Sequence, residues 1–236
     1  MQVTINVEAA FASPFVVGTG ALADSPADKP TAKDGWGRPI IPGSSLKGRL
    51  RHTCEELVRA LVGEDVVCHG PGADRTCPYD PALKGFGADY CPVCQVFGAS
   101  TRRSPFHFSD LHWKLLGTAP PEQWPPTELR PGVSIRRSRR VAEEGRLFLV
   151  ETFGRPRESG SAEVVYVGKI VGHMPDDDPH RLGYVGLLLA GLRTMTSLGG
   201  ARSRGLGRCH MEGRAEGIQE TEWQEGLKQW LNSVSR

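Results

Sequence analysis

Apolar and polar residues alternate through VTINVEAAF, residues 3–11, with the two-residue period of a half-buried strand. The pattern then dissolves into SPFVVGTGALADSPADKPTAKDGWGRP, rich in Pro, Gly, Ala and Asp, which reads as a long irregular loop. Helical spacing takes over in IPGSSLKGRLRHTCEELVRALVG. There Leu46, Leu50, Leu57 and Leu61, with Cys54 and Val58, fall in one apolar stripe. Ser44 or Ser45 is placed to cap its start and Gly63 to end it. Between Glu64 and Ala99 no period survives. Strand character returns in PFHFSDLHWKLL, and GTAPPEQWPPTELRPG reads as a proline-rich connection. VSIRRSRRVAEEGRLFLVETF predicts a hairpin around a basic turn, and AEVVYVGKIVG a further strand. HRLGYVGLLLAGLRTMTSL reads as a mostly buried helix stopping at Gly199, GRCHMEGRAEGI as a last strand, and QETEWQEGLKQWLNSV as a short amphipathic helix. Strand, helix, strands, helix, strand is the order of an α+β domain carrying an insertion.

Composition narrows the possibilities. The 236 residues are 39% hydrophobic and 24% charged, enough for one substantial core. The net charge is only +2, so any binding of a polyanion must come from local clusters. No apolar run approaches the roughly 18 residues of a membrane span. The start MQVTINVEAAF lacks the basic and apolar regions of a signal peptide, so a cytoplasmic protein with no membrane partner is expected. Disulfides are rare in that compartment, and the six cysteines therefore need another explanation.

Four of them supply one. Cys68, Cys77 and the pair in CPVC, Cys91 and Cys94, crowd the aperiodic insertion, residues 64–99. A Cys-x-x-Cys knuckle with soft ligands upstream matches a structural zinc site, which asks for four donors in a tetrahedron. His69 is an alternative to Cys68. A thioredoxin-like redox pair is the rival for CPVC, but it calls for a strand before and a helix after. Cys54, on the helix stripe, and Cys209, in a strand, read as core.

Three basic clusters remain. PGSSLKGRLR sets Ser44 and Ser45 at a helix start with Lys47, Arg49 and Arg51 just inside, where free N–H groups and the positive dipole end suit an anion. Lys47 and Arg51 lie one turn apart on the same face. IRRSRR contributes Arg136, Arg137, Arg139 and Arg140. Strand alternation would put Arg137 and Arg139 on one face and Arg136 and Arg140 on the other. GGARSRGLGR, residues 199–208, places Gly199 and Gly200 beside Arg202, Arg204 and Arg208, a flexible loop with guanidinium forks matched to phosphate oxygens. Three clusters on a nearly neutral chain favour one shared polyanionic ligand, RNA above others.

IPGSSLKGRLR and GGARSRGLGR, in this order with a cysteine insertion between them and SPFVVGTG ahead of both, resemble the RAMP superfamily of CRISPR proteins. More narrowly, they resemble the repeating backbone subunit of type III CRISPR effector complexes. The resemblance spans nearly the whole chain as a single domain, residues 1–236. It implies a ferredoxin-like (RNA-recognition-motif-like) palm, the zinc-bearing insertion and a thumb hairpin, residues 130–146, that pushes between guide and target. It implies stacking of copies along a guide CRISPR RNA beside other effector subunits, with Ser44, Ser45, Lys47, Arg49, Arg51 and the glycine loop gripping the guide. Cleaving members use a loop aspartate before the first helix to cut complementary target RNA. That points to Asp28, with Asp24 as the competing register, aided by magnesium or another divalent cation. The alternative is a non-catalytic architectural subunit of the same kind of complex, and behind it a guide-precursor-processing endoribonuclease relying on His52 or His112, which suits the zinc insertion and basic hairpin less well.

Overall fold

A computed structural model describes residues 2–18, 27–70, 76–78, 90–114, 127–154 and 164–234. The alternation at the N-terminus forms β1 (Gln2–Phe11), which buries Val3, Ile5, Val7, Ala9 and Phe11. β1 is flanked on both sides by antiparallel neighbours, β7 (Val164–His173) and β8 (Cys209–Ala215). β3 (Phe106–Phe108) and β4 (Leu111–Trp113) both pair with β7, and β2 (Ile40–Ile41) pairs with β4. The sheet order is β2-β4-β7-β1-β8.

Helix α1 (Gly43–Val62) buries Leu46, Leu50, Thr53, Cys54 and Val58. The expected stripe is too long at its end: Leu57 is only partly buried and Leu61 is 61% exposed, because the last turn outruns the core. Neither Ser44 nor Ser45 caps the helix. Pro42 occupies the cap position without a side-chain bond, and the Gly43 amide donates instead to Asp110 Oδ1 at 2.8 Å. Helix α2 (Pro92–Phe97) lies near the end of the insertion. Helix α3 (Arg181–Thr194) is buried almost all round, packing on α1, β8 and α4 (Glu220–Val234), and it stops at Thr194, earlier than expected. Full burial of a Leu such as Leu50 or Leu187 stabilises by about 1.5–3 kcal/mol relative to exposure, so the α1–α3 seam is a main support of the fold.

The hairpin is longer than its sequence pattern predicts. β5 (Thr127–Arg136) and β6 (Val141–Phe153) form a separate two-stranded ribbon that begins inside the proline-rich connection. Pro131 is tolerated because β5 pairs only with β6 and needs no second ladder of donors. Two-stranded ribbons are marginal in water. This one is anchored at its root, where Phe153 exchanges both backbone bonds with Phe15 (3.1 and 2.9 Å). Beside it the buried Glu151 carboxylate accepts the Thr31 amide (2.9 Å) and Lys33 Nζ (2.6 Å).

Candidate functional site

The first and third basic clusters meet. The loop between α3 and β8 closes on itself through Leu198 N donating to Gly207 O (2.9 Å) and Cys209 N to Thr196 O (3.0 Å). Gly200 N donates to Val16 O at 2.8 Å, which ties the loop to the segment after β1. Gly199 has φ +100°, and a Cβ there would lie 2.4 Å from Val16 O, so only glycine fits. The result is a cleft of about 300 Å³ lined by Val17, Gly18, Ser45, Arg49, Gly199, Gly200 and Arg202. Arg49 Nε is buried there without a hydrogen-bond partner. Burial, then the nearby Arg202 cation, pushes the Arg49 guanidinium below its ordinary pKa. A guanidinium remains charged at neutral pH, so the cleft holds two close cations and an unspent donor, the preference of an anion.

The dipole of α1 contributes less than expected. Its first amide is taken by the Asp110 carboxylate, an anion already in place, so side chains and the glycine loop build the cleft rather than the helix end. Ser44 is exposed beside it. Lys47 and Arg51 face the other way. They line a second cleft, about 900 Å³, with Glu55, Cys68, Cys94, Arg102 and Arg103. Lys47 Nζ lies 5.6 Å from the Phe108 ring, and burial, then Arg51, holds its pKa below the usual lysine range. Arg102 and Arg103 form a basic pair that the sequence reading missed, although they directly follow the CPVC helix.

The second cluster does not join the cleft. Arg137–Arg140 form the turn between β5 and β6, so the expected strand alternation does not apply to them. Arg139 and Arg140 donate backbone bonds to Arg136 O, and Arg136 Nε lies 3.5 Å from Glu143. The ribbon's middle, not its tip, reaches the glycine loop: Arg204 Cζ lies 5.7 Å from the Phe148 ring centroid, and Lys29 Nζ, from the segment before α1, lies 5.5 Å from it. Arg208 opens β8, its backbone bound to Ser13 Oγ and the Ala12 amide. Asp28 is exposed next to Lys29, and its Oδ2 accepts the Leu149 amide at 2.7 Å. Asp24 lies outside the described residues. His52 is 3.2 Å from Glu56 on the exposed side of α1, whereas His112 lies in β4, so the two belong to different surfaces.

The insertion's sulfurs gather. The Sγ atoms of Cys68, Cys77, Cys91 and Cys94 lie within 4.8 Å of one another, all buried. Cys68 Sγ is 3.6 Å from Cys94 Sγ and 3.8 Å from Cys91 Sγ. A tetrahedron with metal–sulfur bonds of about 2.3 Å has edges of about 3.8 Å, so the set fits a metal ion. Crowding splits the thiols electrostatically: hydrogen bonds from Cys77, Cys91 and Cys94 hold Cys68 far below the ordinary range, while Cys68, Cys77 and Cys91 push Cys94 far above it. Four thiolates can coexist here only with a cation between them. His69 is exposed, whereas Cys68 points inward. A short helix, α2, begins within CPVC at Pro92, and Cys91 caps it by accepting the Cys94 amide at 3.5 Å. Arg51 Nη2 donates to Cys94 Sγ (3.2 Å), its Nη1 to Gly98 O (3.0 Å), and its Nε to Glu55 (3.0 Å). Arg51 thus secures α1 to the sulfur cluster. Cys54 and Cys209 are buried apart from it, and burial pushes the Cys209 thiol up to about 11.

Sheet, basic cleft and sulfur cluster define a mixed α+β protein with a cleft lined by Arg49 and Arg202 and a site able to hold a metal ion. The family model of the RAMP superfamily matches residues 9–210, and the chain belongs to that superfamily, whose members are CRISPR-associated proteins that bind CRISPR RNA and other effector subunits. A comparison with curated proteins gives no match. Among the described residues no helix is long and apolar enough to cross a membrane.

Proposed function

We propose that the chain is a guide-RNA-binding backbone subunit of a type III CRISPR effector complex, stacking in copies along the guide and cutting complementary target RNA at Asp28. What carries this reading is the cleft in which Ser45, Arg49, Gly199, Gly200 and Arg202 surround an unpartnered guanidinium nitrogen, a pocket for a phosphate of the guide. The element order β1, α1, β3/β4, β7, α3, β8 with β8-β1-β7-β4 adjacent is consistent with a ferredoxin-like palm. The protruding β5–β6 ribbon, with its arginine-rich turn, is consistent with the thumb. Zinc is the ion for four cysteine sulfurs, and it would hold together an insertion poor in apolar residues.

Cleavage needs no nucleophile from the protein. The ribose 2′-oxygen, losing its proton, attacks the adjoining phosphorus, and the bond from phosphorus to the 5′-oxygen breaks, leaving a 2′,3′-cyclic phosphate and a 5′-hydroxyl protonated from water; a displaced nucleotide can align this attack and a duplex cannot. In this reading Asp28, whose Oδ2 accepts the Leu149 amide of the ribbon, takes the 2′-hydroxyl proton. Among the described residues the four sulfurs are the one group of His, Cys, Asp and Glu able to hold a metal. A divalent cation at Asp28 would therefore complete its shell with phosphate oxygens and water, as magnesium commonly does. The same Leu149 bond also suits an aspartate that only shapes the loop, the architectural alternative. One assay separates them: target cleavage by the assembled complex, compared with Asp28→Ala. The catalytic reading expects loss of cutting with guide retained; undiminished cutting removes Asp28 from the role.

A further inference from the structure

Trp36 is 78% exposed, yet its backbone amide is held by the Asp34 carboxylate. Asp34 organises the turn. Its Oδ1 accepts the amides of Trp36 and Arg38, both at 2.9 Å, and its Oδ2 accepts Arg38 Nε at 2.6 Å. Asp34 N donates to Arg38 O (2.9 Å) and Gly37 N to Asp34 O (3.0 Å), which closes the turn from the backbone side. Partial desolvation pushes the Asp34 carboxyl up, but the Arg38 amide and guanidinium and the Trp36 amide outweigh it and hold its pKa below the ordinary range. Arg38, so tethered, lays its guanidinium 4.6 Å from the Trp36 ring centroid. A large ring is thus held out in water by a carboxylate that spends every one of these bonds on the turn. Nothing in the core needs it: the ring stands outside the buried cluster.

The position of the turn says what the ring can meet. Its stem pairs Lys33 with Pro39, and at its base Ala32 N donates to Val17 O (2.7 Å), with Gly18 bridged to Thr31. Val17 and Gly18 are also a wall of the Arg49 cleft. The ring therefore stands on a short stem whose base is shared with the rim of the anion pocket, four residues along the chain from Ala32. The turn's own charges cancel, Asp34 against Arg38 and Lys33 against Glu151. It brings a π-face without adding to the electrostatic pull, which suits a base rather than a phosphate.

We infer that Trp36, backed by Arg38, is a stacking platform for an unpaired base of the RNA strand whose phosphate occupies the Arg49 cleft. The inference rests on the RNA-binding reading above. The chain thereby contacts RNA in two chemically distinct ways, phosphate in the cleft and base on the ring. Stacking of this kind is tolerant of sequence, as a subunit repeating along an arbitrary guide requires.

The test uses the full-length protein and a fluorescein-labelled single-stranded RNA, read by anisotropy over a salt series. Trp36→Ala is expected to weaken binding about tenfold with the salt slope unchanged, and Trp36→Phe to recover most of the loss. Arg49→Ala is expected to weaken binding and flatten the slope. An RNA with abasic sites should bind wild type and Trp36→Ala alike. Binding that depends on Arg49 but not on Trp36 overturns the platform and leaves the RNA reading standing. A sedimentation change in Trp36→Ala with RNA affinity intact also overturns it, in favour of a contact between protein subunits. RNA binding by none of the proteins overturns both.

Discussion

Replacing Gly199 with alanine strains the glycine loop in two separable ways. At φ +100° a residue with a Cβ pays about 1–2 kcal/mol for leaving the right-handed regions. The added Cβ would also lie 2.4 Å from Val16 O, a backbone atom that no rotamer change can move. Val16 O must retreat, and it then gives up the Gly200 amide, a bond worth about 1 kcal/mol net. The total, about 2–3 kcal/mol, corresponds to about 5–10 °C in melting temperature for a chain of this size. Gly205→Ala is the internal control, since Gly205 has φ +82° but nothing within 4 Å of its Cβ position. It should lose about half as much, the conformational part alone. Thermal unfolding by circular dichroism measures both. Because Gly199 and Gly200 are a wall of the Arg49 cleft, Gly199→Ala should also weaken RNA binding more than Gly205→Ala. Equal melting temperatures for the two variants would refute the claim that the Val16 contact sets the loop.

Other outcomes follow from the same geometry. Gly48 lies on the exposed side of α1, with nothing within 4 Å of a Cβ and ordinary helical φ, so Gly48→Ala should raise stability by about 1 kcal/mol, read as a melting temperature up by about 2–4 °C. Metal analysis should find about one zinc per chain. A strong chelator, or Cys91→Ser, should remove the metal and destabilise the insertion first, seen as fast amide exchange around Cys68, Cys91 and Cys94 before the β1–β7–β8 core opens. Full fold stability without metal would count against a structural role.

What the sequence made legible is local. β1 reads correctly because its neighbours bury one face of it, and period-two alternation records that burial residue by residue. The four cysteines read correctly as a group because few apolar residues surround them, so nothing else explains their density. The errors come from long-range partners. Asp110 caps α1 from 67 residues away, which no pattern near Ser44 reveals. Arg51 looks like a companion of Arg49, yet two residues on a helix turn a side chain by about 200°, and it meets Cys94 instead. Thr127–Pro131 looks like linker because prolines mark turns, but a ribbon edge accepts a proline that an inner strand would reject. The Arg102–Arg103 pair is too short a run to stand out as a basic cluster, and only the fold sets it beside Lys47 and Arg51.

Phe148 is where the proposed chemistry and the proposed grip touch, and its removal should separate them. The ring crosses the ribbon over Gly132, where a Cβ would lie 2.4 Å from Phe148 Cζ, so the absence of a side chain there admits the ring. Lys29 and Arg204 both lie within 6 Å of the ring centroid, one from the Asp28 segment and one from the glycine loop. Each cation–π contact is worth about 0.5–1 kcal/mol at such partly exposed sites. Phe148→Ala therefore loses about 1–2 kcal/mol of order, shared between Lys29 next to Asp28 and Arg204 of the glycine loop, while the cleft residues Ser45, Arg49 and Arg202 keep their own supports. Target cutting by the assembled complex should fall several-fold, and guide affinity should change little. Phe148→Leu retains apolar bulk without the quadrupole and should behave like the alanine variant in cutting but melt closer to wild type. If Phe148→Leu cuts as well as wild type, packing alone positions Asp28 and the two cations are incidental. If guide affinity collapses with cutting, the ribbon's middle belongs to the grip itself.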